Sequence, residues 1–169
     1  WADVQQRRRQ KKIGVDARLL AYPLTGIGRY THEMTQALLR AGAHLVLYMP
    51  SAPIHPLYQD RGGLELNAAR LSGRAGRFIW GQAVLPFTAR SSAPDVYWGP
   101  THRIPPFLPK QTRAFVTIHD LVWKAAGDTM RPTSRLLEKR LMPMAVRRAD
   151  GIIAVSDHTK RDIISAFPE

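Results

Sequence analysis

Three short stretches carry residue types that could do chemistry. The first, TIHD (117–120), ends an apolar run on His119 and Asp120. A His–Asp pair there is half of a metal site, an acid–base unit, or a strand end satisfied by its own loop. No H-x-x-E-H or H-E-x-x-H spacing accompanies it, so the pattern gives a metal no support. Neighbouring strand residues point to opposite faces, so the two side chains need not act together. The second stretch, TGIGRYT (25–31), sets Gly26, Ile27, Gly28 and Arg29 ahead of an amphipathic run. It is half of a dinucleotide fingerprint, with Thr31 standing at the third glycine position. The next apolar run ends LYMPSAP, without an acid to hold a ribose. Two uses remain: an anion held at a helix N-terminus, or a corner turn with no ligand. The third stretch, GPTHR (99–103), brings Thr101, His102 and Arg103 to the end of another apolar run.

Six short apolar runs position these residues. They are IGVDAR (13–18), HLVLYMP (44–50), GLELNA (63–68), DVYWGP (95–100), RAFVTIHD (113–120) and GIIAVS (151–156), each read as a strand. Helical periodicity lies between them. Ile27, Tyr30, Met34, Ala37, Leu38 and Ala41 share one face, and Gly42 ends that helix. RAGRFIWGQAVLPFTAR (74–90) is helical but interrupted by Gly81 and Pro86. A loop containing Gly127 and Pro132 leads to a helix over 133–150, with Pro143 inside to kink it near Lys139. Ser156 is placed to cap a last helix, DHTKRDIISAF, with any ligand role additional to that. Strands alternating with helices predict an α/β fold: a Rossmann-like, doubly wound parallel sheet covered on both faces.

That topology makes the chemistry asymmetric. Ligands of open α/β sheets bind outside the carboxyl ends of the strands. Asp16, Arg18, the glycine stretch, Thr101, His102, Arg103, His119, Asp120 and Ser156 all leave carboxyl ends. The amino ends offer only Lys11, Lys12, Asp95, Arg113 and Gly151.

Bulk composition bounds the partners. The 169 residues hold 25 Lys plus Arg against 13 acids, a net charge of +12 that favours anionic partners. Five of those positives fall in residues 7–12, read as a tag, linker or mobile basic arm. No recognised nucleic-acid motif accompanies the charge. A basic, non-catalytic membrane-surface or nucleic-acid-binding α/β module is the alternative reading. The segment RAGRFIW (74–80) mixes arginines with aromatics as interfacial helices do, though Phe78 and Trp80 serve a core equally well. Cysteine is absent, removing disulfides and thiolate chemistry, and no apolar run approaches the ~18 residues of a membrane span.

In order and in register with the strand ends, four stretches resemble the N-terminal domain of retaining transferases of glycosyltransferase family 4. They are IGVDARLL…PLTGIGRYTHEMTQALL, DVYWGPTHRIPP, VTIHDLVW and MPMAVRRADGIIAVSDHTKRDI, which together span residues 13–166. The resemblance is strongest to bacterial mannosyl- or rhamnosyltransferase-like enzymes of surface-polysaccharide synthesis. It implies the N-terminal half of a GT-B fold over residues 13–169, on the acceptor side of a cleft. The facing half binds the nucleotide-sugar and carries a glutamate pair spaced by seven residues; that half is not in this sequence, so the piece alone is expected to be inactive. By the same resemblance, the backbone of Gly26, Ile27, Gly28 and Arg29 approaches the donor diphosphate. His119 stands beside the transferred sugar, and Asp120 braces its loop. Asp16, Arg18, Thr101, His102, Arg103 and Ser156 are assigned to the acceptor side. The co-substrate implied is a nucleoside-diphosphate sugar with no metal and no other cofactor, and the acceptor a glycan or lipid-linked molecule. The expected location is cytoplasmic, peripheral on the inner face of the bacterial membrane, with no nucleic acid bound.

Overall fold

The computed structural model describes residues 11–57, 63–121 and 132–168. Most of the basic arm and the loop with Gly127 therefore lie outside the described residues. Six strands form one sheet: β1 Lys12–Asp16, β2 His44–Met49, β3 Leu64–Ala68, β4 Val96–Gly99, β5 Arg113–Ile118 and β6 Gly151–Ala154. Every pairing is parallel, in the order β3-β2-β1-β4-β5-β6. Five strands stop one or two residues before the end of their runs; β3 ends with its run at Ala68. At β1 the cause is local: the Asp16 carboxylate takes the Arg18 side chain, and the backbone tightens into a 3-10 turn over Arg18–Ala21. The strand thus gives way to a turn just where the polar residues begin. Lys12, read as the end of the arm, instead opens β1, its backbone N–H bonded to Asp95.

Helices α1 Gly26–Arg40, α2 Gly73–Ile79, α3 Leu85–Ser92, α4 Pro132–Arg148 and α5 Asp157–Ala166 complete the fold. The four central strands are covered on both faces, while the edge strands β3 and β6 stay largely exposed. Val15, Leu45, Leu47, Met49 and Trp98 pack with Leu39 of α1 on one side. Val46, Tyr48, Tyr97 and Ala114 pack with Trp80, Leu85 and Ala89 on the other. A third cluster joins Val116 and Ile118 to Met142 and Ala145 of α4 and Ile163 of α5. These near-continuous apolar strands are what a two-sided parallel sheet requires.

Two readings of the helices change. Gly81 and Pro86 do not break the 74–90 helix; a π turn over Trp80–Val84 joins α2 to α3. Pro86 lacks an N–H, and its ring would crowd the carbonyl four residues back in α geometry. The wider turn passes the preceding hydrogen bond from Leu85 N–H to the Trp80 carbonyl instead. The two glycines of TGIGRYT, read as a loop before the helix, are themselves the first turn of α1. α4 runs unbroken through Pro143.

Candidate functional site

In the strand order β3-β2-β1-β4-β5-β6 the chain reverses direction of travel between β1 and β4, which is where such sheets open a crevice. Asp16 leaves β1 at that point and is fully buried. A lone buried carboxylate would be untenable, and the neighbouring chain supplies its partners. Arg18 donates from Nε at 2.8 Å and from Nη2 at 2.7 Å, a forked contact. Thr101, arriving from β4, donates its hydroxyl at 3.1 Å. Burial opposes the Arg18 charge, but the adjacent carboxylate outweighs this and raises its pKa still further. The guanidinium also lies 5.2 Å over the buried Trp80 ring. Asp16 therefore orients Arg18 and Thr101 from below. A small cleft of about 40 Å³ opens beside them, lined by Arg18, Gln82, Arg103, Ile104 and Pro105 among others.

The loop leaving β4 folds back over its own strand. A Cβ on Gly99 would stand 1.9 Å from the Arg103 carbonyl oxygen, so no other residue fits there. His102 takes a left-handed conformation, φ 63°, rare outside glycine and common where side chains are held for function. Its ring is buried and meets the His119 ring at 5.5 Å between centroids. The hydrogen bonds fix both tautomers. His102 Nε2 accepts the His119 backbone N–H at 3.0 Å, so it carries a lone pair, and the proton sits on Nδ1. His119 Nε2 lies 3.0 Å from the Pro100 carbonyl, so there the proton sits on Nε2 and Nδ1 keeps the lone pair. Burial lowers the His119 pKa, which keeps the ring neutral at physiological pH.

The remaining predicted residues take defined places. Ser156 Oγ accepts the Thr159 N–H at 3.1 Å and caps α5. Thr159 in turn donates its hydroxyl to the His119 carbonyl at 3.0 Å, tying the first turn of α5 to the end of β5. Asp120 is exposed beside His119. At α1, Thr25 gives no side-chain cap, so the first-turn N–H groups of Gly26, Ile27 and Gly28 receive no acceptor from it. Gly26 is exposed, with φ 21° and open space where a Cβ would stand. Gly28 is buried beside Leu19 and Leu24, where a Cβ would make only ordinary contacts of 3.6–3.9 Å. Arg29 is exposed. Tyr30, one residue on, sets its ring edge-on against His119 at 4.9 Å, linking the glycine turn to the histidines.

Sequence reasoning missed three contributors. Tyr30 was read only as part of the apolar face of α1, and Thr159 as ordinary helix. Glu138, from the middle of α4, bonds Arg103 at 3.0 Å and lies 3.6 Å from His102 Nδ1. No local motif marks it. The one available signal was an acid inside the basic run RLLEKR.

The doubly wound parallel sheet, with its polar rim at the switch point, is a Rossmann-like α/β domain. Residues 24–169 match Glycosyltransferase Family 4. The chain belongs to that family, as the N-terminal half of a GT-B fold. No curated protein matches it significantly.

Proposed function

We propose that this domain forms the acceptor side of an enzyme moving a hexose, mannose or similar, from a nucleoside-diphosphate sugar to a glycan or lipid-linked hydroxyl with retained configuration. The observation that carries the reading is the junction at the β1–β4 switch point. There Asp16, Arg18 and Thr101 are bonded together, and the loop from Thr101 leads directly to the His102–His119 pair. In this reading the uncapped turn over Gly26, Ile27 and Gly28, with Arg29, approaches the donor diphosphate. Leaving-group charge grows in the transition state, and prearranged N–H dipoles and cations stabilise it without reorganising. His119, neutral and with its Nδ1 lone pair, stands beside the transferred sugar and accepts a hydrogen bond from a sugar hydroxyl. Asp120 braces the loop; Arg18, Thr101, Arg103 and Ser156 line the acceptor side, and buried Asp16 and His102 hold them. No metal or other cofactor is invoked. The test is incubation of the full-length enzyme with a panel of nucleoside-diphosphate hexoses and extracted lipid-linked acceptors, the product's anomeric configuration being read by NMR. Transfer with retention supports the reading; no transfer from any donor, or inversion, overturns it.

We further infer that the enzyme works in the cytoplasm against the inner face of a bacterial membrane, in polysaccharide or lipopolysaccharide synthesis. Among the described residues no helix is long and apolar enough to cross a membrane. One surface nevertheless suits lipid. Residues 69–94 contain Arg70, Arg74, Arg77 and Arg90 and no acid. From the helix they form, Phe78 is 61%, Ile79 52% and Phe87 66% exposed. Trp80, from the same helix, is buried under Arg18, so this surface adjoins the cleft. Cations beside exposed aromatics complement an anionic leaflet. This arrangement would present the cleft to a lipid-linked acceptor.

A further inference from the structure

We propose that Glu138 is a positioning residue: through His102 it holds His119 in place. The claim that this sets the transfer rate rests on the function proposed above; the claim about geometry does not.

Three contacts carry it. Glu138 reaches the strand ends from α4, its side chain 16% exposed, and donors from two consecutive residues converge on it. Arg103 Nη2 binds one carboxylate oxygen at 3.0 Å; the other, buried and without a hydrogen-bond partner, faces His102 Nδ1 at 3.6 Å, an electrostatic contact rather than a hydrogen bond. Beyond His102, its Nε2 accepts the His119 backbone N–H at 3.0 Å. An imidazole can accept at Nε2 only when neutral with its proton on Nδ1. A carboxylate facing Nδ1 selects that tautomer, because it accepts a proton and cannot donate one. This is the arrangement by which a carboxylate fixes an imidazole elsewhere. With the opposite tautomer, two N–H groups would confront each other between His102 and His119. The His119 backbone would then lose the bond that sets its register beyond β5. The His102 ring is buried against the His119 ring, so it has little freedom to find another partner.

An Arg103 ion pair alone would explain the burial of Glu138, and the experiment separates the two roles. The chain is labelled with ¹⁵N, and long-range proton–nitrogen spectra give the His102 tautomer while amide exchange reports the His119 N–H. Glu138→Ala is expected to move His102 toward the Nε2-protonated form and to speed His119 amide exchange at least tenfold. Glu138→Gln, which keeps a carbonyl oxygen for Nδ1–H, restores the tautomer and the slow exchange. In the full-length enzyme, Glu138→Ala lowers kcat roughly tenfold or more with little change in donor KM, and Glu138→Gln recovers most of it. An unchanged His102 tautomer and unchanged His119 exchange in a folded Glu138→Ala chain overturn the proposal, whatever the transfer rate. A switched tautomer with undiminished kcat overturns its rate-setting part. Wild-type enzyme without transfer counts against the proposed function instead, and the spectra still decide the geometry.

Discussion

Replacing Asp16 by Asn tests the junction on which the crevice is built. The carboxylate is fully buried and receives four side-chain hydrogen bonds, three from Arg18 and one from Thr101. Asn keeps the shape and one accepting oxygen but removes the charge. It leaves the Arg18 guanidinium, largely enclosed over Trp80, without its counter-ion. Breaking one side of a buried ion pair costs about 3–5 kcal/mol; the retained oxygen puts Asn near about 3 kcal/mol. For a domain of this size that lowers Tm by roughly 6–12 °C, at about 2–4 °C per kcal/mol. The second variant decides the cause. Asp16→Asn with Arg18→Met removes the stranded cation while keeping apolar contact with Trp80, and is expected to regain about 1–3 kcal/mol. Urea unfolding followed by near-UV circular dichroism of the tryptophans gives both values. A loss under about 1 kcal/mol, or a double variant no more stable than the single one, would refute the reasoning.

The remaining predictions concern other parts of the molecule. Gly99→Ala forces a Cβ to within 1.9 Å of the Arg103 carbonyl and is expected to cost about 3 kcal/mol or more, read by urea unfolding, whereas Gly28→Ala meets only ordinary contacts and costs about 1 kcal/mol or less. Glu138 gives a pH signature: burial opposes its charge, but His102 and Arg103 outweigh this and hold its pKa below the usual range. Its folded pKa is depressed, so its stabilisation is present above about pH 4.3 and is lost as pH falls through the folded-state value. The stability gap between wild type and Glu138→Gln should thus narrow on acidification through that window; a gap that widens contradicts the assignment. Co-sedimentation with vesicles containing phosphatidylglycerol should fall about fivefold for each of Arg74→Gln and Arg90→Gln, from about 1 kcal/mol per arginine, and should weaken with salt. Phe78→Ser with Phe87→Ser should weaken it further at every salt concentration, and equal binding to neutral vesicles would contradict the proposed surface.

Much of this architecture was legible in the sequence, because it rests on strong local signals. Five of the six strands announced themselves as apolar runs between turn residues, GLELNA being a weaker signal, and the runs of Val, Leu and Ile pointed to a parallel sheet. Which residues share the carboxyl rim followed from topology. What escaped was set by tertiary contact. Whether Phe78 or Trp80 faced the core depended on a π turn that no propensity records. Gly28 is buried beside Leu19 and Leu24, with room for a Cβ at ordinary contact distance, so its side-chain site faces the fold, a placement that helix periodicity alone does not give. Glu138 reaches His102 from 36 positions along the chain, a distance across which sequence spacing carries no information.

The central claim is that the residues gathered at this rim serve sugar transfer, with His119 at its heart. Steady-state transfer by full-length enzyme carrying His119→Ala, alongside proof of an intact fold by circular dichroism, addresses it most directly. The expected loss in kcat is at least about a hundredfold, the scale of a positioned group acting in a transition state. A folded variant that transfers sugar at the wild-type rate would contradict it.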